Sequence, residues 1–301
     1  MKTTIVYLIM LLTCIQLHSQ EVVPAQVPAA TEVIVDTTSA WTAKGNASFL
    51  FNQSTFDNWL PGGENNISGN ININYDFNYI KDDYTWDNKV IASYGLVKTR
   101  TSAFAKKTDD RLELISLLGK KATGQWYYSA FLNFKTQFSK GYVYDKEVNG
   151  AEIRTEYTDF LSPAYLYFGP GMLWKRDDNL KVNLSPLTSK LTFVDKNMTL
   201  PNEAYFGVEE GKSMRYELGF NAAAYYKFGV IANVSFENIL NLYSNYLENP
   251  DNVDLDYQLN IVLKVNRYLS TNISFQTIYD DNAFKGFQIR QVFGVGINYG
   301  F

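Results

Sequence analysis

From residue 43 onward, apolar and polar side chains alternate with a period of two. That spacing puts successive residues on opposite faces of a β-strand and is incompatible with an amphipathic helix. The clearest stretch is Ile67–Ile80, where Ile67, Gly69, Ile71, Ile73, Tyr75, Phe77 and Tyr79 oppose Ser68, Asn70, Asn72, Asn74, Asp76 and Asn78. Val253–Asn266, Leu269–Tyr279 and Phe287–Phe301 repeat the pattern. Weaker versions occupy 43–52, 86–98, 111–121, 125–139, 159–175, 179–194, 213–228 and 229–245, which brings the total to twelve. Several exceed the usual length of a soluble strand and suffice to cross a bilayer when tilted.

The connections between these strands alternate in length. Long ones fall at 53–66, 99–110, 140–158, 195–212, 246–252 and 281–285. Tight turns fall between them, at Lys81-Asp82-Asp83, Ala122-Thr123-Gly124, Arg176-Asp177-Asp178, Phe228-Gly229 and Arg267-Tyr268. Long loops at one end and short turns at the other predict a twelve-stranded antiparallel transmembrane β-barrel of the outer membrane, with long extracellular loops and short periplasmic turns. Aromatic residues cluster beside the turns: Tyr79, Trp86, Trp126, Tyr128, Trp174, Tyr226, Phe228 and Tyr268. Amphipathic rings favour the headgroup level, so these form an expected periplasmic girdle. The alternative all-β reading is a soluble sandwich, whose inner face would be equally apolar.

The first residues read differently. Met1-Lys2, the apolar run Ile5–Leu12 and the stretch to Ser19 form a secretory signal peptide, 1–19. A lipoprotein signal acylated at Cys14 is the rival reading. Residues 20–40 are small and Pro-bearing, a periplasmic tether ahead of the barrel at 41–301. The single Cys (Cys14) and the single His (His18) both lie inside the signal. The exported chain then has neither thiol nor imidazole, which removes Cys- and His-based nucleophilic catalysis and His or Cys metal sites. A net charge of −4 gives no basic surface for nucleic acid. The sequence therefore predicts no enzyme, no cofactor and no metal centre. Acidic pairs such as Asp280-Asp281 lack the ligand spacing of a Ca²⁺ loop.

The segment Trp41-Thr42, Gly45, Phe51-Asn52-Gln53 and Asn58-Trp59-Leu60-Pro61-Gly62-Gly63-Glu64-Asn65-Asn66-Ile67-Ser68 resembles the start of a Bacteroidota family catalogued as domain of unknown function 3078. The resemblance implies a Gram-negative outer-membrane barrel and carries no activity with it.

Three groups of residues are candidates for function. If the apolar face meets lipid, Asp76, Lys135, Arg215, Glu217, Lys227, Glu237, Asp254, Asp256, Lys264 and Arg290 point into the lumen. They form either a network of ion pairs filling a narrow barrel or rings that set the selectivity of a pathway. The first-loop motif Asn58, Trp59, Pro61, Gly62, Gly63 and Asn65 is either a plug, a docking loop or a structural lid. The ending Tyr299 and Phe301 suits an assembly signal for the machinery that inserts barrels. The leading expectation is a non-enzymatic structural or accessory component of the envelope or of an outer-membrane complex. The alternative is a narrow diffusion channel for small polar solutes. An outer-membrane hydrolase built on the Asp254/Asp256 pair is the remote third. The expected partners are outer-membrane lipid, the assembly machinery, a complex partner or a small polar solute.

Overall fold

A computed structural model describes residues 39–57, 63–147, 150–199, 201, 203–266 and 269–300. The expected signal peptide with Cys14 and His18, the expected tether up to residue 38, Asn58–Gly62, the expected Arg267-Tyr268 turn and Phe301 lie outside the described residues.

Fourteen strands are described. They are β1 (Trp41–Ser54), β2 (Asn66–Lys81), β3 (Tyr84–Thr99), β4 (Lys106–Thr123), β5 (Trp126–Thr136), β6 (Gly141–Lys146), β7 (Glu152–Thr158), β8 (Ala164–Asp177), β9 (Leu180–Phe193), β10 (Met214–Ile231), β11 (Val234–Asn245), β12 (Val253–Lys264), β13 (Leu269–Asp280) and β14 (Phe284–Gly300). Twelve of them close into an antiparallel barrel in chain order, with β5 pairing β8 and β14 returning to β1. The remaining two, β6 and β7, make a separate hairpin within the connection expected to be a loop. One turn is also displaced. Phe228-Gly229 is not a turn: β10 continues to Ile231 and the chain reverses at Ala232-Asn233. The glycine lies at an irregularity in the β10–β11 register, and such a bulge breaks the alternation that would have revealed the strand.

The barrel is inside-out relative to a soluble protein. Ile289 and Phe293 on β14 are 69% and 66% exposed, and Phe49, Ile71, Ile73, Leu118 and Ile297 join them on the outer wall. Lys190, Glu113, Glu217, Asn221 and Ser185 are buried inside. An apolar outer band around a polar, hydrogen-bonded interior is the arrangement of a barrel that spans a bilayer, where every backbone group must be paired within the wall. The two-layer sandwich reading falls with this finding. At the turn end, Trp41 packs against Tyr79 and Trp86 with ring centroids 5.2 and 5.6 Å away. Trp126 is the cross-strand neighbour of Trp174.

Candidate functional site: the charged lumen

The alternation expected from the sequence aims every one of its ten charged candidates at the interior. Asp76 accepts from Lys89 at 3.1 Å. Lys135 donates to Asp256 at 2.5 Å and lies 3.8 Å from Glu113. Arg215 contacts Glu217, Glu248 and Asn282 at the loop end. Glu237 accepts from Lys89 at 3.1 Å and from Tyr225 at 2.9 Å. Asp254 accepts from Lys190 at 2.8 Å, and Arg290 pairs with Asp109. Lys227 and Lys264 line the cavity at the turn end.

Lys135–Asp256 and Arg215–Glu217 pair within the ten, and the other partners are residues that the sequence did not single out. Lys89, Arg111, Glu113 and Asp109 belong to β3 and β4, whose inward positions also hold apolar Ile91, Ile115 and Leu117. Strands greasy on both faces give a weak alternation. Leu117 indeed meets Phe131 and Leu173 in an apolar cluster inside the barrel, with Tyr127 and Tyr167 against it. Lys190 was missed for another reason. Ser185 pairs with Asn221 and Thr188 with Gly219, so a bulge intervenes and both Ser185 and Thr188 turn inward. Beyond that bulge the parity of β9 is reversed.

These contacts brace the lumen from wall to wall. In the ring of twelve strands, β3 and β11 are six steps apart in either direction, so the Lys89–Glu237 contact spans the full diameter. Lys135–Asp256 joins β5 to β12, and Arg290–Asp109 joins β14 to β4. Gln276 and Gln258 also donate to Asp256, at 2.9 and 3.4 Å, and Asn133 donates to Glu113 at 3.0 Å. Fixing both members of a pair and satisfying the remaining lone pairs is the condition under which buried charges are tolerated.

Three cavities flank this framework. One of about 480 Å³ opens at the loop end, lined by Tyr165, Tyr167, Tyr243 and Phe206 among others. Two of about 200 and 380 Å³ open at the turn end. The loop-end cavity shares Lys135, Asn241 and Asp256 with the first of these, and Arg111 and Arg290 with the second. The cavities of the two ends therefore meet at these shared side chains, a septum whose members other than Asn241 are ion-paired.

Asp254, Asp280 and Asp281 bring carboxylate oxygens together near the loop end, within 4.8 Å of one another. Two of the three already accept from Lys190, at 2.8 and 3.4 Å, so a cation of the chain itself neutralises part of the cluster. In the first loop only Gly63 and Asn65 of the motif are described. Asn65 accepts from the Phe56 amide at 2.6 Å, and a Cβ on Gly63 would run into the Phe56 ring. Glu64 between them accepts from Thr101, which holds its carboxyl below the ordinary carboxylate value. Tyr299 lies on the exposed outer wall of β14, opposite Ala47 of β1.

The fold and lumen define a closed membrane-spanning barrel. The model of a family described as a protein of unknown function (DUF3078) matches residues 51–142. No curated protein matches the chain. Among solved structures it is similar to the translocator domain of the autotransporter NalP from Neisseria meningitidis, at 8% identity and TM-score 0.39, over 89% of this chain and 90% of that one. It is also similar to the COG4313 outer membrane channel from Pseudomonas putida F1, at 9% identity and TM-score 0.37, over 93% and 99%. The outer membrane channel DcaP of Acinetobacter baumannii overlaps at 9% identity and TM-score 0.30, over 87% and 97%.

Proposed function

We propose that this chain is an integral barrel of a Gram-negative outer membrane whose lumen is closed at rest, and that it serves as a non-enzymatic structural or accessory component of the envelope. Export by residues 1–19 and a Bacteroidota source, implied by the first-strand motif, belong to the same reading. The loop end then faces outward and the turn end faces the periplasm. Outer-membrane lipid, the assembly machinery that inserts barrels and a partner in an outer-membrane complex are its proposed partners.

The observation that carries the reading is the Lys89–Glu237 contact across the barrel diameter, backed by Lys135–Asp256 and Arg290–Asp109. A constitutive pore keeps a continuous aqueous path, whereas these side chains cross it. The non-enzymatic part is supported by the carboxylates that would have to stand in for histidine. Asp254 is engaged by Lys190 and Asp256 by Lys135, so they do not act on one another as a general acid–base pair.

Single-channel recording of the purified full chain in planar bilayers tests this. The wild type is expected to give no steady conductance. Lys89→Ala/Glu237→Ala combined with Lys135→Ala/Asp256→Ala, which removes both members of each brace, is expected to give stable steps. Steady conductance from the wild type would establish the second reading instead, a narrow channel for small polar solutes. That reading is favoured by cavities that approach from both ends and are separated only by side chains.

A further inference from the structure

Neighbouring strands offer two inward lysines obvious partners. The β1–β2 register sets Lys44 opposite Asp76, and the β10–β11 register sets Lys227 opposite Glu237. Opposed charges at such cross-strand positions normally pair. Here both carboxylates accept from Lys89 instead, at 3.1 Å each. Among the described residues Lys44 and Lys227 are left without an ion pair, and so is Lys264 at the end of β12, which faces Ser270.

All three line the turn-end cavity of about 380 Å³. Deeper in the same cavity lie Lys89, Arg111 and Arg290, and among the described residues the only carboxylates on its wall are Asp76 and Glu237. Arg111 and Arg290 are neutralised by Glu113 and Asp109, which lie on the wall of other cavities. The Nε of Arg290 is buried and has no hydrogen-bond partner. Much of the remaining wall is Asn and Ser, including Asn46, Ser48, Asn72 and Ser274. The loop-end cavity has the opposite balance, with five carboxylates against four cations.

We infer that the turn-end cavity of about 380 Å³ is a binding site for a small multivalent oxyanion of the phosphate class, held by Lys44, Lys227 and Lys264 at its mouth. A surplus of cations inside a low-dielectric wall raises the affinity for a counter-charge. Ammonium groups are point charges that suit phosphate. The carboxylates of the cavity beyond the septum are each ion-paired and leave no cationic surplus there, so the ligand enters and leaves at the turn end. The inference holds whether or not the lumen conducts.

Isothermal titration of the full chain in a zwitterionic detergent, with inorganic pyrophosphate as the probe, tests it. Saturable binding is expected for the wild type and for Lys212→Gln, a solvent-exposed loop-end control. Lys44→Gln/Lys227→Gln/Lys264→Gln is expected to bind about tenfold more weakly, and the triple Arg variant to retain affinity. Lys264→Gln alone, at an exposed strand end, keeps the test valid if the triple variant does not fold. Affinity is expected to fall with added salt. Glycerol 3-phosphate, run beside pyrophosphate, tells a lipid headgroup from a free oxyanion, and tighter binding of either one upholds the site. No binding to the wild type by either probe, or binding that the lysine substitutions leave unchanged, overturns it.

Discussion

A lysine buried to 1% exposure needs counter-charge, and Lys190 has three sources of it. Asp254 lies at 2.8 Å, Asp280 and Glu217 at 3.4 Å, and the rings of Tyr243 and Tyr167 stand 5.2 and 5.7 Å from its Nζ. Removing that single cation leaves three carboxylates facing one another without it. Breaking a buried ion pair from one side costs about 3–5 kcal/mol, because the orphaned charge stays buried. Lys190→Met, similar in length and uncharged, is therefore expected to lower the urea midpoint of the detergent-folded barrel by that equivalent, followed by tryptophan fluorescence. An unchanged midpoint would show that the cluster is not stabilised by its cation. Asp254 was legible from the alternation of β12. Lys190 was not, because the bulge between Ser185 and Thr188 inverted the parity on which the reading relied.

At the scale of elements, the β6–β7 hairpin is tied down by a few side chains rather than by a sheet. Glu152 accepts from Lys106 at 2.5 Å, from the Ala103 amide at 2.7 Å and from Ser102 at 3.0 Å. Arg154 lies between the rings of Phe104 and Tyr142, at 4.5 and 4.1 Å. The Lys106 contact, helped by Ser102 and Ala103, holds the Glu152 carboxyl down from 4.5 to about 2. A carboxylate whose value is lower when docked than when free favours docking above its free value, and the advantage disappears as pH falls through the docked value. The hairpin is therefore expected to stay anchored above about pH 4.5 and to loosen progressively towards pH 2. Amide hydrogen exchange across Tyr142–Tyr144 reads this, and Glu152→Gln is expected to show the loosened pattern already at neutral pH. Protection independent of pH over that range would refute the tie. The sequence left this hairpin as a loop because each strand is short and both of its faces carry mixed polarity. Close approach governs another element. A Cβ on Gly219 would collide with the carbonyl oxygen of Ser244 on β11. Gly219→Val is expected to abolish the compact, heat-modifiable form on gels, since overpacking a ladder forces the strands apart.

For the molecule as a whole, the outer wall decides where the protein can exist. Ile289 and Phe293 stand on its apolar band. A cation placed at the middle of such a band costs about 2–4 kcal/mol, falling towards zero at the interfaces. Phe293→Arg is expected to destabilise the barrel by that order in lipid bilayers, measured by reversible urea unfolding. Ser274→Arg, equally long but pointing into the lumen, is expected to cost less. Equal penalties for the two would mean that the greasy face does not meet lipid.

Which residues look outward and which look inward was readable from the chain alone, because a strand displays its neighbours to opposite sides and only one side tolerates hydrocarbon. The twelve strands, the split between long loops and tight turns, and the ten inward charges followed from that parity. The pairing of those charges across the lumen did not. Lys89 and Glu237 are 148 residues apart and meet only because the ring closes with their strands diametrically opposed. Closure also brought Lys89 to Glu237 in place of the adjacent Lys227, while Asp76 took the Lys89 opposite it on β3 over the Lys44 opposite it on β1, and one cavity was left cationic. Local periodicity carries direction but no distance across the lumen, and distance is what an ion pair depends on.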